Sequence, residues 1–327
     1  MCTAVTFCTK DHYFGRTLDL EHTYGEQVVV TPRKFPLTFR RAAARERHYA
    51  MIGMAHVAEN YPLYYDAVNE AGLAMAGLNF PHSCGYGGER EGRHTIAPFE
   101  LIPWVLSRCE TVEQARTLLQ CTDVASIPFS KELPATPLHW LVADRDRALV
   151  VEPVGGMLEL WDDPVGVLSN EPPFPHQMTY LSRYMGLSAG VAENRFAPGL
   201  ELDAISRGLG AVGLPGDWSS PSRFVRAAFL RGNSVCGNSE EESVSQFFHI
   251  LGGVEQTRGC NRLKDGACVV TQYTSCCNAD RGIYYYTTYG NRSITGVNMF
   301  QKGVDGDELI TFSLETKERS LVPNNRK

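Results

Sequence analysis

Residues 1–21 read MCTAVTFCTKDHYFGRTLDLE and predict the secondary structure at the start of the chain. Two runs of β-branched and aromatic residues, 3–7 and 12–20, flank a turn at Lys10–Asp11. This pattern predicts an antiparallel hairpin. Cys2, directly behind the initiator methionine, would then lie at the open end of that hairpin, beside its first strand.

Met1 can be removed, because removal of the initiator methionine tolerates a small following side chain such as that of Cys2. Cys2 would then have a thiol and a free α-amine on the same residue. The exposed α-amine has an ordinary pKa of about 7.7–8.0, so a useful fraction is an unprotonated base at neutral pH. One residue would supply both a nucleophile and its general base, the arrangement known for N-terminal threonine. The alternative is a second-position cysteine without a catalytic role.

Arg16 and Asp19, on the second predicted strand, can approach the N-terminal residue across the hairpin. A nearby cation lowers the pKa of a cysteine thiol, so Arg16 would stabilise a Cys2 thiolate. The Asp19 carboxylate could accept hydrogen bonds from the α-amine and hold it near the sulfur. The alternative is an ordinary ion pair on a strand.

Length and charge exclude several classes of protein. The chain has 327 residues, a formal net charge of −6, and scattered Lys and Arg residues that give no basic face for nucleic acid. The N-terminus lacks the charged and apolar regions of a signal peptide. No apolar window is long enough to span a bilayer. We therefore expect a cytoplasmic protein without nucleic-acid or membrane partners.

The ten cysteines are expected to be thiols, since a reducing compartment disfavours disulfides. Cys260 and Cys268 stand eight apart, Cys276 and Cys277 are adjacent, and the sequence contains no C-x-x-C pair. These spacings do not predict a metal site. They also disfavour a thiol redox or metal-binding protein.

Further strands and helices indicate an α+β protein, with one domain favoured over two. Strands are predicted at 27–33, 49–55 and 73–80, three more within 138–170, and three within 268–300. Helices are predicted at 97–109, 111–121, 220–232 and 239–253. Thr111 with Gln114, and Ser239 with Glu242, predict capping boxes.

Two motif matches lack their structural context. GLSAG (186–190) fits the serine-hydrolase elbow, but no buried strand leads into Ser188. GLGAVG (208–213) fits a dinucleotide-binding loop, but no strand precedes it and LPGDW would break the helix that should follow. Both are interpreted as surface loops.

A series of motifs resembles the choloylglycine hydrolase family, which comprises bile salt hydrolases and penicillin V acylases within the N-terminal nucleophile hydrolases. They are, in order, MCT, FGRTLDLE, NEAGLAMAGLNFP, LHWLVAD, GVLSNEPPF, GLPGDWSSPSRF and VVTQYTSC. The resemblance covers nearly the whole chain. It implies one domain over residues 1–327, a four-layer αββα fold with two stacked antiparallel sheets, a homotetramer, and amide hydrolysis without metal or organic cofactor.

Matching the motifs residue by residue implies a set of catalytic positions. They are Cys2 as nucleophile, Arg16 and Asp19 as the charged pair beside it, Asn79 (main-chain N–H) and Asn170 (side-chain amide) as oxyanion donors, and Arg223 as the residue that holds the network together.

The resemblance leaves two substrates, conjugated bile salts and penicillin V, and Asn79 favours bile salts because the penicillin V acylases tend to have tyrosine there. Leu18, Phe129 and Leu133 match positions that line the steroid pocket, with ordinary core packing as the alternative. Arg207, in a loop expected to reach a neighbouring subunit, would contact the anionic end of the conjugate and favour taurine over glycine. Capture of the acyl-enzyme by another amine stays open. A non-catalytic bile-acid-binding module is disfavoured, because it would need a disabled site and the matched catalytic positions are all present.

Overall fold

The computed structural model describes residues 1–301 and 303–318. The single domain predicted over 1–327 includes Lys302 and residues 319–327, which lie outside the described residues, and this division stays a prediction. The described strands are β1 (Cys2–Cys8), β2 (His12–Leu20), β3 (Gln27–Thr31), β4 (Met51–Ala58), β5 (Tyr61–Asn69), β6 (Ala74–Asn79), β7 (His94–Ile96), β8 (Thr122–Val124), β9 (Leu138–Ala143), β10 (Ala148–Val154), β11 (Met157–Asp162), β12 (Val167–Leu168), β13 (Val270–Asn278), β14 (Ile283–Thr288), β15 (Asn291–Asn298) and β16 (Ile310–Ser313). The described α-helices are α1 (Leu101–Leu106), α2 (Val112–Gln120), α3 (Phe174–Leu181), α4 (Ser220–Asn233) and α5 (Glu240–Gly252).

Sheet A contains the N-terminal hairpin and has the strand order β12–β1–β2–β13–β14–β15, with antiparallel neighbours. The predicted hairpin is confirmed, because β1 pairs with β2 in a register that sets Cys2 opposite Leu18 and Ala4 opposite Arg16. Successive side chains alternate between the faces of a sheet. Cys2, Leu18 and Arg16 therefore share one face.

Sheet B has the strand order β11–β10–β9–β6–β5–β4–β3–β16 and is also antiparallel. A short parallel pair, β7 with β8, lies outside both sheets. The antiparallel pairing agrees with strands that follow one another closely in the sequence.

The two sheets pack face to face, with helices against both outer faces. Arg16 of β2 crosses the space between the sheets and donates to the main-chain oxygens of Tyr65 and Gly77 in sheet B. Phe247 of α5 is buried with residues of sheet A, and Leu119 of α2 with residues of sheet B. Burying one such side chain contributes about 1.5–3 kcal/mol. The predicted α+β class and four-layer αββα arrangement are confirmed.

The helix termini follow the predicted capping only in part. Ser239 accepts from the N–H of Glu242 while Glu242 reaches back to the N–H of Ser239, so this capping box is formed. Thr111 accepts from the N–H of Gln114, as predicted. The Gln114 side chain instead accepts from the N–H of Glu110, so only half of the second box forms.

Strand β5 and helix α3 were not predicted. The turn between β4 and β5 is made by Glu59 and Asn60, with φ values of 49° and 58°. Asn-Gly or Asp-Gly usually signals such a turn, so Glu-Asn gave no recognisable hairpin. Helix α3 begins directly after Pro173, where the Glu152 carboxylate accepts from the N–H of Phe174. Glu152 lies 22 residues before Phe174, so this contact at the start of α3 cannot be recognised from the local sequence.

The motif matches are surface segments, as interpreted. Ser188 is exposed in an irregular segment, and Gly208 precedes a 3-10 turn at Leu209–Ala211. Neither follows a buried strand. Across residues 1–301 and 303–318, no helix combines the length and apolar character needed to cross a bilayer.

Candidate active site around Cys2

Cys2 begins β1 and is almost completely buried, with 2% of its surface exposed. It lies in the core between the two sheets, on the face that it shares with Leu18 and Arg16. Leu18 is in turn paired with Tyr273 of β13. The thiol is therefore enclosed by sheet residues, in surroundings where nearby charges act with little screening by water.

Arg16 is the buried cation closest in sequence to this thiol. Its guanidinium donates to the main-chain oxygens of Thr17, at 3.3 Å, and Tyr65, at 3.0 Å, as well as to that of Gly77. Burial lowers the pKa of Arg16, but the negative charge of Cys2, ahead of those of Tyr273 and the nearby aspartates, raises it above the ordinary value overall. This coupling is reciprocal, so Arg16 favours the thiolate.

The Asp19 carboxylate is buried and accepts hydrogen bonds from Thr271 Oγ1 at 2.7 Å and from Thr17 Oγ1 at 3.2 Å. Burial raises the pKa of Asp19 above its ordinary value, although the positive charges of Arg223 and the N-terminus act in the opposite direction. Asp19 therefore lies within the field of the N-terminal amine. Its carboxylate bonds to hydroxyl groups.

The chain as described includes Met1, and this residue changes the expected contact of the amine. The Met1 amine donates to the main-chain oxygen of Asp19 at 2.6 Å, and the N–H of Asp19 donates to the Met1 oxygen at 2.9 Å. Met1 thus extends the strand pairing. The expected bond from an amine to the Asp19 carboxylate is not formed here, because strand pairing directs the amine to the main chain.

Asn170 and Arg223 hold the main chain of Cys2. The N–H of Cys2 donates to Asn170 Oδ1 at 2.8 Å, and Arg223 Nη2 donates to the same oxygen at 2.7 Å. Arg223 Nη1 donates to Thr3 Oγ1 at 2.6 Å and to the main-chain oxygen of Cys2. The fully buried Arg223 of α4 thereby links the start of β1 to Asn170, two residues past the end of β12.

Asn79 and Asn170 are in direct contact at the edge of this cluster. Asn170 Nδ2 donates to the main-chain oxygen of Asn79 at 2.7 Å. The Asn170 backbone is fixed on both sides, because its N–H donates to Ser220 Oγ at 2.8 Å and its oxygen accepts from Gln177 Nε2 at 2.6 Å. The predicted catalytic positions are therefore gathered around the buried residue Cys2.

The sequence comparisons agree with this geometry. A family model described as linear amide C–N hydrolases, choloylglycine hydrolase family, matches residues 2–312. The chain belongs to this choloylglycine hydrolase family. The bile salt hydrolase/transferase of Lactiplantibacillus plantarum is 46% identical, over 99% of this chain and 100% of that protein. The bile salt hydrolase/transferase of Clostridium perfringens is 36% identical, over 95% of this chain and 96% of that protein.

Solved structures show the same fold. The C2A mutant of the conjugated bile acid hydrolase from Clostridium perfringens superposes with a TM-score of 0.91 at 34% identity, covering 99% of this chain and 100% of that one. Penicillin V acylase from Agrobacterium tumefaciens has a TM-score of 0.76 at 19% identity, covering 96% and 92% of the two chains. That second likeness concerns the fold alone. The predicted N-terminal nucleophile hydrolase fold is confirmed.

The four predicted substrate-binding residues have different surroundings. Leu18 is buried opposite Cys2. The N–H of Phe129 donates to the Leu133 oxygen at 3.0 Å, which closes a turn, and the Phe129 ring packs against Phe99 with a centroid distance of 5.2 Å. This ring borders a cavity of about 480 Å³. Arg207 is exposed in a loop.

Several polar partners of the site were not found from the sequence. Thr271, Ser220 and Gln177 hydrogen-bond to Asp19 or Asn170. Thr271 lies inside the motif VVTQYTSC and Ser220 inside the motif GLPGDWSSPSRF. This position within a family motif was the one sequence signal that could have identified them. Their roles as partners depend on strand pairing and helix placement between distant parts of the chain.

A buried carboxylate beside Arg16 was also missed. Asp66 of β5 accepts from Tyr273 at 2.6 Å, from Tyr284 at 2.7 Å and from Ser275 at 3.1 Å, all of them hydroxyl donors of sheet A. Burial raises the pKa of Asp66, although Arg16 and these hydroxyl groups favour its ionised form. Asp66 thus contributes negative charge to the space that holds Arg16 and Cys2.

The described residues show no composition typical of a metal centre. No group of three or more His, Cys, Asp or Glu side chains suited to a metal ion occurs in residues 1–301 and 303–318. All ten cysteines lie in this part of the chain and are free thiols.

Proposed function

We propose that this protein hydrolyses the amide bond of glycine- or taurine-conjugated bile salts through a thioester on Cys2. The observation that carries the proposal is the cluster in which Asn170 and Arg223 hold the N–H and oxygen of Cys2. Membership of a linear amide hydrolase family supports the reaction type. Relatives named as bile salt hydrolases, up to 46% identical over the full chain, support the substrate class.

The first half of the reaction forms the thioester. Removal of Met1 turns the N–H of Cys2 into an α-amine, which takes the thiol proton. Arg16 stabilises the resulting thiolate, and the sulfur attacks the substrate carbonyl. The C–S bond forms as the carbonyl π electrons move to oxygen. The amine then protonates the leaving nitrogen, the oxyanion re-forms the carbonyl as the C–N bond breaks, and glycine or taurine departs.

The second half returns the enzyme to its starting state. The α-amine accepts a proton from water, whose oxygen attacks the thioester carbonyl. The C–S bond breaks, the bile acid leaves, and the proton returns to the thiolate of Cys2. The same α-amine thus serves both halves of the reaction. In the first half it accepts the thiol proton and passes it to the leaving nitrogen, and in the second it accepts a proton from water.

Asn170 is proposed to orient the amine and stabilise the oxyanion with opposite ends of one amide. Arginine can only donate, so the Asn170 atom that faces Arg223 is the acceptor Oδ1. Nδ2 then faces Asn79 and has two N–H groups, of which one bonds to the Asn79 oxygen. The other is assigned to the oxyanion, together with the Asn79 main-chain N–H. Removing one such donor typically lowers kcat by about 10²–10³-fold.

A second activity, transfer of the acyl group to an amine, is supported by relatives named hydrolase/transferase. An amine that attacks the same thioester in place of water would form a new amide. Penicillin V acylase activity is a further alternative, for which the structural likeness offers the fold alone. Asn79 supports bile salts over penicillin V, by the family resemblance.

We propose a homotetramer from the family resemblance, and the exposure of several large apolar side chains in residues 185–212 is compatible with a subunit interface. Among them, Ile205 is 93% and Val191 87% exposed. Contiguous exposed apolar surface commonly marks an interaction site. Arg207 lies two residues after Ile205 in the same exposed segment. By the family resemblance this loop would reach the active site of a neighbouring subunit, where the Arg207 cation is proposed to contact the anionic end of a conjugate. We also propose a cytoplasmic location.

The proposed function is tested by initial rates on taurocholate, glycocholate and penicillin V with the processed protein and the Cys2→Ala variant. Release of taurine or glycine that is absent in the variant supports the proposal. Turnover of penicillin V with untouched bile salts would overturn the substrate assignment while leaving the mechanism. For Arg207, an unchanged ratio of taurocholate to glycocholate turnover in Arg207→Ala would exclude its proposed role.

A further inference from the structure

We infer that His139, paired with Glu152, is a positioning residue that fixes both segments carrying the oxyanion donors Asn79 and Asn170. The inference rests on the proposed function, because it presumes the oxyanion roles of these two asparagines. It adds a residue pair that acts through them and touches neither the substrate nor Cys2.

His139 lies on β9 and Glu152 on β10, and both side chains are completely buried. His139 follows the alternation of β9, in which Trp140 belongs to the core under α1 and α2 and Leu141 to the core between the sheets. His139 shares the face of Leu141. The imidazole therefore lies between the two sheets, on the same side of sheet B as the Cys2 site.

His139 contacts the neighbour of each proposed oxyanion residue. Its Nε2 lies 2.8 Å from the main-chain oxygen of Ser169, the residue before Asn170. Its ring stacks on Phe80, the residue after Asn79, with centroids 4.2 Å apart and an interplanar angle of 6°. One imidazole thereby spans the gap between the two segments.

The hydrogen-bond partners of His139 and Glu152 show which atoms of the pair hold the neighbouring main chain. A carbonyl oxygen can only accept, so Nε2 of His139 carries the hydrogen donated to Ser169. Nδ1 lies 3.0 Å from Glu152 Oε1. Glu152 also accepts from the N–H of Phe174 at 3.0 Å, which holds the first turn of α3. The pair therefore anchors both ends of residues 169–174, the segment that includes Asn170.

The spacing of the two oxyanion donors depends on this anchor. Asn170 Nδ2 and the Asn79 oxygen are 2.7 Å apart, so a small shift of either segment changes where both donors point. Misplacement by about 1 Å can cost about 10²-fold in rate. Attack by the thiolate on an alkylating agent develops no oxyanion, so it should not depend on the His139–Glu152 pair.

The test compares His139→Phe, which keeps a stacking ring and loses both hydrogen bonds, with His139→Gln, whose amide can still donate to Ser169. His12→Gln is the matched control, because His12 is another buried histidine, hydrogen-bonded to Thr6 in sheet A. Measurements are kcat and KM for taurocholate, the rate of Cys2 alkylation by iodoacetamide, and thermal unfolding. His139→Gln keeps the experiment decisive should His139→Phe fail to fold.

We expect His139→Phe to lower kcat by roughly 10- to 100-fold while KM and the alkylation rate stay near the wild-type values. His139→Gln should recover part of kcat, and His12→Gln should leave kcat of the folded enzyme unchanged. An unchanged kcat in both His139 variants, or an alkylation rate that falls in parallel with kcat, would overturn the inference. Asn170→Ala separates a failure of the His139 inference from a failure of the proposed oxyanion role of Asn170. If it is inactive while the His139 variants are normal, only this inference fails; if it keeps full activity, the oxyanion assignment fails as well.

Discussion

The main-chain N–H of Cys2 donates to Asn170 Oδ1 over 2.8 Å, although 168 residues separate the two in sequence. This nitrogen is the atom that becomes the α-amine when Met1 is removed. The acceptor that we propose holds the catalytic base is therefore in place before Met1 is removed, and Arg223 fixes that acceptor by donating to the same oxygen.

Asn170→Asp separates the two proposed roles of Asn170. The aspartate keeps an acceptor for Cys2 and Arg223, but it removes the Nδ2 donor and adds negative charge where the oxyanion forms. We expect kcat for taurocholate to fall by at least about 10²-fold. Alkylation of Cys2 by iodoacetamide should continue. A kcat within a few fold of the wild-type value would show that Nδ2 does not serve the oxyanion.

Arg223→Met removes a buried charge with contacts to Cys2, Thr3 and Asn170. Its loss leaves buried polar partners unpaired, at a cost of about 1–3 kcal/mol for each, so the free energy of unfolding measured in urea should fall. We expect kcat to fall as well, because Asn170 loses the donor that selects its orientation.

Arg226→Met is the control for this experiment. Arg226 lies on the same helix α4 and donates to the main-chain oxygens of Gly253 and Pro215. It should lose stability while kcat of the folded enzyme stays within about threefold of wild type. Equal losses of kcat in the two variants would contradict a specific role for Arg223.

Arg16→Met tests whether the buried guanidinium stabilises the thiolate. The reciprocal coupling between Arg16 and Cys2 predicts that loss of the cation slows alkylation of Cys2 by iodoacetamide at neutral pH. Arg16→Lys keeps the charge and should leave the alkylation rate nearer to the wild-type value. Asp66→Asn should raise the rate, because it removes negative charge from the same space. Rate changes in the same direction in Arg16→Met and Asp66→Asn would contradict this assignment of charges.

His12 should make folding sensitive to acid. Burial lowers the pKa of His12 from 6.5 to about 4, with Asp280 and Asp144 opposing this shift. The unfolded chain therefore binds a proton that the folded chain excludes, so stability is present above pH 6.5 and is lost as pH falls towards about 4. At about 1.4 kcal/mol per pKa unit, this loss amounts to roughly 3 kcal/mol.

Urea unfolding at several pH values between 7 and about 4 measures this effect. His12→Gln should have a shallower dependence of the free energy of unfolding on pH over that range. An unchanged slope would show that other groups control the acid sensitivity.

The N-terminal hairpin was predictable because its signals are local. Alternating β-branched and aromatic residues and a short turn specify β1 and β2, and their register follows from the turn. The β4–β5 hairpin was missed for the same reason, since Glu59 and Asn60 adopt a turn that their residue types do not announce. Capping residues likewise indicated where α2 and α5 begin.

The residues of the candidate site could be named from the sequence, but the contacts between them could not. The motif resemblance named Asn170 and Arg223, but periodicity contains nothing that pairs Asn170 with Cys2. The Asp19 carboxylate was expected to accept from the amine, yet it bonds to Thr17 and Thr271 in the chain with Met1. Such contacts depend on how distant strands and helices pack.

The most direct test of the central claim is the mass of the processed enzyme, quenched in acid during turnover of taurocholate. The account predicts that the N-terminal peptide lacks Met1 and that a fraction carries one cholyl group on the Cys2 sulfur, which hydroxylamine removes. Steady release of taurine without any adduct on that peptide, or continued turnover by Cys2→Ala, would contradict it.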